Sequence, residues 1–189
     1  VLGWLQQFEA VASFTLLVDL LKWFVVIALV EELAKYFMVK FVALGSKEID
    51  EPLDIMLYMV VAALGFASLE NVLYIFSPID GLSFDAIVQK TVAISFIRFI
   101  GATFLHTLCS ALLGYFVALS YFHFKKRRWL IVLGILLATA LHGLYDFSII
   151  TLGSPMNFIT PIVILFGLAL FIVSQFERIK KIKSICKLS

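Results

Sequence analysis

Several ionisable side chains interrupt otherwise apolar runs of this sequence: Glu31, Glu32, Lys35, Glu70, His106, His142 and Asp146. Such groups suit acid–base chemistry, charge stabilisation or ion binding. A carboxylate can take a proton from water, an imidazole or ammonium can steady developing charge, and imidazoles with carboxylates can hold a metal ion. Their spacing is helical. Glu31 and Lys35 stand at i,i+4, Glu32 and Lys35 at i,i+3, and His142 and Asp146 at i,i+4, so the members of each pair share a helix face. Glu31 and Glu32 point about 100° apart, which lets only one aim squarely at a common centre.

The elements that must position these groups are membrane helices. The chain has 189 residues, 62% hydrophobic and 15% charged, with a mean hydropathy of +1.06. Soluble domains hold about 45–50% apolar and about 25% charged residues. That contrast excludes a water-soluble enzyme, a disordered tail and a nucleic-acid-binding protein. The net charge of +2 says little by itself, and Cys109 and Cys186 form no disulfide framework or metal-ligand spacing. The chain opens at Val1 rather than Met, and no cleavable signal peptide is read in it.

The expected fold class is all-α: a polytopic membrane helix bundle of about five to seven transmembrane helices, forming a single domain over residues 1–189 with a polar active site inside. Turn signals place crossings at 23–44, 55–76, 101–122, 129–150 and 158–175. Residues 1–22 form an N-terminal helix that is either interfacial or the remnant of another span. Residues 83–97 are expected to lie along the membrane surface and bend into the third span near Gly101. A helix of 39 residues would be about 58 Å long, too long for one crossing. Most of the 15 Lys and Arg fall on one side, in the loop 45–54, the cluster 125–128 and the basic tail 177–189. That bias makes this side cytoplasmic, with the tail able to attract anionic lipid of the bilayer.

Charges in a span cost about 2.5–3.5 kcal/mol each, so five facing lipid would cost on the order of 15 kcal/mol, comparable to the stability of a whole protein. They must share a polar interior. Counted at about 1.5 Å per residue from the predicted outer helix ends, Glu32 lies about 13 Å deep, Glu70 about 9 Å, His106 about 8 Å, His142 about 12 Å and Asp146 about 6 Å. Four helices therefore place these groups in one layer of the outer half of the bilayer. The carboxylates outnumber Lys35 and the nearby Arg98 by two charges. Protonated carboxyls, histidinium or a divalent cation would close that gap.

Three segments carry a family resemblance: Glu31-Glu32-Leu33-Ala34-Lys35, Phe66-Ala67-Ser68-Leu69-Glu70 and His142-Gly143-Leu144-Tyr145-Asp146. They resemble the Glu-Glu-x-x-Lys, Phe-x-x-x-Glu and His-x-x-x-Asp motifs of the PrsW family of intramembrane proteases, related to the CAAX prenyl endopeptidase/Abi superfamily. Asn71 and Tyr74, and the stretch from Arg98 to His106, add to the likeness, which covers residues 24–148. The prenyl-protease branch ends its second motif in His. Glu70 stands there in this chain, which argues against a CAAX substrate.

The resemblance implies peptide-bond hydrolysis in the membrane by a glutamate-activated water. On that reading Glu31, with Glu32 second, deprotonates the water. Glu70 orients it, His142, Asp146 and His106 position it or stabilise the oxyanion, and Lys35 holds the Glu pair ionised. Asn71 and Arg98 support. A zinc version has His106, His142 and Glu70 or Asp146 as ligands and Glu31 as base. No His-Glu-x-x-His sequence supports zinc, so the route with no cofactor is placed first. The implied partner is a membrane-protein substrate, single-span and anti-sigma-factor-like, cut near its extracytoplasmic side.

Plainer readings stand beside these. His106 alone is as well explained as interhelical glue, one of Glu31 and Glu32 as a structural partner of Lys35, and Arg98 as a structural charge. His123 is a headgroup residue, and Cys109 and Ser110 are small packing residues. A proton- or ion-coupled transporter would also bury such charges, but the chain has no internal repeat or paired broken helices. A non-catalytic immunity-type binding protein would be free to lose a motif, and all three are intact.

Overall fold

The computed structural model describes residues 14–46, 49–75 and 84–182, and within them the architecture is all-helical, with no strand. Residues 14–20 run unbroken into a π-wound stretch, Leu21–Leu29, and on into an α-helix, Val30–Val42. This continuous rod is α1. It is followed by α2 (Pro52–Ile75), α3 (Phe84–Phe122), α4 (Arg127–Thr151) and α5 (Met156–Ile179), with a short 3-10 turn, Phe124–Lys126, joining α3 to α4.

Four stretches are long and apolar enough to cross a membrane: Pro52–Tyr74, Arg98–Phe122, Phe124–Thr151 and Met156–Ile179. They match four of the five expected crossings, with ends moved by a few residues. The fifth, α1, carries Asp19, Lys22, Glu31, Glu32, Lys35 and Lys40, and no 18-residue window within residues 14–42 holds as few as two charges. Residues 14–22 belong to this same rod and do not form a separate helix. Residues 1–13 lie outside the described segments.

The expected bend near Gly101 does not break the helix, since α3 is continuous over Phe84–Phe122. No proline lies within it, and a helical glycine costs only about 1 kcal/mol. The start of α2 is held by a reach-back carboxylate: Asp54 accepts the backbone N–H of Glu51 at 2.9 Å and of Asp50 at 3.2 Å. Pro52, at the first helical position, has no N–H to leave unpaired.

α3 is the central element, packed on α2 and α4, while the π-wound part of α1 lies against α4 and α5 covers α4 and α3. Met56, Met59, Leu112, Leu113 and Val117 fill the contact of α2 with the C-terminal half of α3. α5 buries Ile164, Leu168, Ile172, Gln175 and Ile179, a stripe at helical spacing, and exposes Phe158, Ile162, Val163 and Phe166 on its outer face. The apolar core therefore occupies one end of the bundle. The charged groups lie at the other, where the N-terminal part of the Arg98–Phe122 segment meets α1, α2 and α4.

Candidate active site

Four of the five helices, α1 to α4, contribute to one cluster. From α1, Glu32 and Lys35 are fully buried and paired at 2.7 Å, the i,i+3 spacing bringing them together. Lys35 is therefore the partner of Glu32 in particular. Its ammonium also stands 2.8 Å from His106 Nδ1 on α3. An ammonium has no lone pair, so that nitrogen must accept, and His106 is the tautomer carrying its proton on Nε2. Nε2 in turn donates to Glu70 Oε2 of α2 at 2.9 Å. Glu70 Oε1 pairs with Arg98 of α3 at 2.8 Å, and the Arg98 guanidinium lies 3.4 Å over the ring of Tyr74.

His142 of α4 is gripped from both edges. Its Nδ1 lies 2.9 Å from Glu32 Oε1, and its Nε2 lies 3.3 Å from Asp146 Oδ2 one turn along the helix. The two imidazoles meet edge to face, 4.8 Å between ring centres, and Phe66 packs against His106. Glu31 completes the group. Its Oε2 is buried without a hydrogen-bond partner, 3.7 Å from His142 Nε2 and 3.9 Å from His106 Nδ1. Although the two glutamates diverge around α1, both reach His142, from opposite edges.

A cavity of about 300 Å³ opens beside Glu31. Glu31, Glu70, Arg98 and Asp146 supply its polar wall, and Trp23, Tyr145 and others its apolar wall. Glu31 faces this space and is 18% exposed, whereas Glu32 is sealed behind it. The sequence reading missed the lining role of Trp23, Ile149 and Ile150. Trp23 reads from sequence only as the start of a crossing, and no polar atom marks the two isoleucines. Asn71 stands off the centre, donating to Thr103 Oγ1 at 3.3 Å between α2 and α3. Cys109 and Ser110 are buried in the packing beyond His106.

The donor set fits a metal ion. Among the described residues Glu31, His106 and His142 bring one ligand atom each within 4.8 Å of one another. Zinc–ligand bonds of about 2.0–2.2 Å place neighbouring ligands roughly 3.3–3.5 Å apart. Glu31 Oε2 stands a little wider than that from the two imidazole nitrogens, at 3.7 and 3.9 Å, so the set would have to draw in to close on an ion. Each imidazole is backed by a carboxylate on its other nitrogen, the arrangement that orients metal-binding histidines. This set differs from the zinc ligands expected from sequence. Glu31 replaces Glu70 or Asp146 because Glu70 is drawn to Arg98 and to the far edge of His106.

The fold and cluster define a multi-pass helical membrane protein with a buried histidine–carboxylate centre. The chain belongs to the PrsW family: the model described as "PrsW family intramembrane metalloprotease" matches residues 2–174. Protease PrsW of Geobacillus kaustophilus is 35% identical over 123 residues, 65% of this chain and 49% of that protein. Protease PrsW of Oceanobacillus iheyensis is 30% identical over 139 residues, 74% of this chain and 59% of that protein. Protease PrsW of Bacillus subtilis is 27% identical over 136 residues, 71% of this chain and 56% of that protein. The chain thus spans about half the length of the curated relatives it matches. No solved structure matches it.

Proposed function

We propose that this protein is an intramembrane endopeptidase that hydrolyses a peptide bond of a membrane-protein substrate, with α1 as a fifth crossing and the cavity open to the extracytoplasmic side. The observation that carries this is the orphaned, buried Oε2 of Glu31, set between two imidazoles at the wall of a cavity large enough for a short length of peptide. A buried oxygen without a partner calls for a proton donor, a water or a cation.

Glu31, His106 and His142 would hold a divalent ion, which when bound supplies Lewis-acid activation of water and of the scissile carbonyl. Glu32 and Glu70 fix the orientation of the two imidazoles. Asp146, on the cavity wall beside His142 Nε2, takes the proton of the attacking water and returns it to the leaving amine. Trp23 and Tyr145 narrow the space around the bond and limit the water that enters. The metal-free route favoured by sequence differs in giving the base role to Glu31 itself. It is placed second because Glu31 lies with both histidines and does not face them across the site. The substrate class, a single-span protein such as an anti-sigma factor cut near its outer end, is supported by the family resemblance. The positive side of the chain supports a cytoplasmic 125–128 loop.

The test is cleavage of transmembrane peptides in detergent by wild type, Glu31→Gln and His142→Ala, each with and without a strong chelator. Both substitutions are expected to lower turnover by on the order of 10²–10⁴, and chelation to abolish it until zinc is returned. Activity that persists after chelation in metal-free protein, yet is lost in Glu31→Gln, would give Glu31 the base role and remove the metal. Activity that survives both substitutions would overturn the protease reading.

A further inference from the structure

The Lys35 ammonium holds the same His106 nitrogen that a metal ion would need. Nδ1 of an imidazole has one in-plane lone pair, and here it accepts from Lys35 Nζ at 2.8 Å. A metal at ordinary bonding distance would lie on the same line, within about 1 Å of the ammonium nitrogen. The two cannot coexist. Lys35 is held there by Glu32 at 2.7 Å and by the Phe66 ring, 4.8 Å from Nζ to ring centre. Glu32 and Phe66 thus position a cation at the metal-facing edge of His106.

We propose that Lys35 is a built-in competitor for the metal position, whose ammonium must leave His106 Nδ1 before a divalent ion can take that nitrogen. Lys35 thereby sets the affinity of the centre. It keeps His106 in the Nε2–H tautomer needed for ligation while withholding the ligand atom. On leaving, the ammonium retains Glu32, so the buried carboxylate is never left without a cation. This inference rests on the metal reading of the site, and it goes beyond it by assigning Lys35 a positioning role.

Cobalt(II), followed by its visible absorption, is titrated into the full-length, metal-stripped protein in detergent. Lys35→Met is expected to tighten binding on the order of tenfold or more, since a charge-assisted hydrogen bond no longer has to be broken. Lys35→Gln, which keeps an N–H for Nδ1 but no charge, falls between. The deciding readout is the order of the two variants. A competitor acting through Nδ1 leaves Lys35→Gln binding more weakly than Lys35→Met, because the amide N–H still holds that nitrogen, whereas a remote positive charge makes the two gains equal. Binding that tightens in the order wild type, Lys35→Gln, Lys35→Met supports the proposal, with Lys35→Leu in place of Lys35→Met if the latter does not fold. Equal gains, no gain, or looser binding overturns it. Absence of cobalt binding in every variant also overturns it, and if wild type still cleaves then the hydrolase reading stands without the metal.

Discussion

The two histidines sit ring to ring in surroundings of opposite character. His106 has a cation on one edge, Lys35, and on the other a carboxylate, Glu70, already shared with the Arg98 guanidinium. His142 has carboxylates on both edges, Glu32 on Nδ1 and Asp146 with Glu31 about Nε2. The arm on α3 is thus balanced by fixed cations, while on the α4 arm Glu32 alone shares one, Lys35, and Glu31 and Asp146 meet only imidazole nitrogens among the described residues. An acceptor-rich edge in a bilayer requires a proton or a metal ion, and the Nε2 edge of His142 is where it would go. The asymmetry separates a side that carries its own countercharge from a side that must import one.

The sharpest way to break that contrast is to remove one carboxylate from each arm. Glu32→Gln leaves the buried Lys35 ammonium without its anion and takes the charged partner from His142, and it is expected to destabilise by about 3–5 kcal/mol. Glu70→Gln acts where Arg98 and Glu70 are both partly exposed, and about 1 kcal/mol is expected. Thermal unfolding in detergent reads both. Equal losses would mean that the two arms do not differ in how they are neutralised.

Backbone proximity gives a smaller, steric version of the comparison. A methyl group added at Gly143, beside His142, would lie 2.8 Å and 2.9 Å from Phe24 ring atoms and 3.1 Å from its Cα. The ring and the α1 backbone must both give way, so Gly143→Ala should cost about 1–3 kcal/mol and displace His142. At Gly101 the added methyl would meet the Tyr145 hydroxyl at 2.5 Å, the free end of a side chain that can turn into the cavity. Gly101→Ala should cost about 1 kcal/mol or less. Melting temperature and cleavage should both rank Gly143→Ala as the more damaging, and the reverse order would place the tight contact on the α3 side.

Which residues converge was readable because charge in an apolar run has few alternatives to a shared interior. Glu31, Glu32, Lys35, Glu70, His106, His142 and Asp146 are adjacent in space as depth arithmetic required. Pairing within the cluster was not readable. Helical spacing permits Lys35 to meet either glutamate, and the choice of Glu32 depends on how α1 is rotated against α3 and α4. The Leu21–Leu29 π winding helps set that rotation, and no residue in it announces a π-helix. The same ignorance of rotation hid which carboxylate groups with the two imidazoles: Glu70 or Asp146 was expected, and Glu31 is the one that stands with them. The length of α3 was misjudged for another reason: bilayer thickness limits a crossing, not the helix that contains it.

The least perturbing change marks the outer limit of the α3 arm. Asn71 follows Glu70 in the sequence, and its side-chain amide donates to Thr103 Oγ1 at 3.3 Å, near the long end for such a bond. Interhelical hydrogen bonds of this kind average about 0.6 kcal/mol in membranes. Asn71→Ala should therefore lower stability by less than about 1 kcal/mol and leave cleavage within about twofold, because Glu70 remains anchored by Arg98 and His106 independently of its neighbour. A loss of activity far larger than the loss of stability would show that Glu70 owes its position to Asn71. The balanced arm would then depend on the contact between α2 and α3 as well as on its own ion pairs.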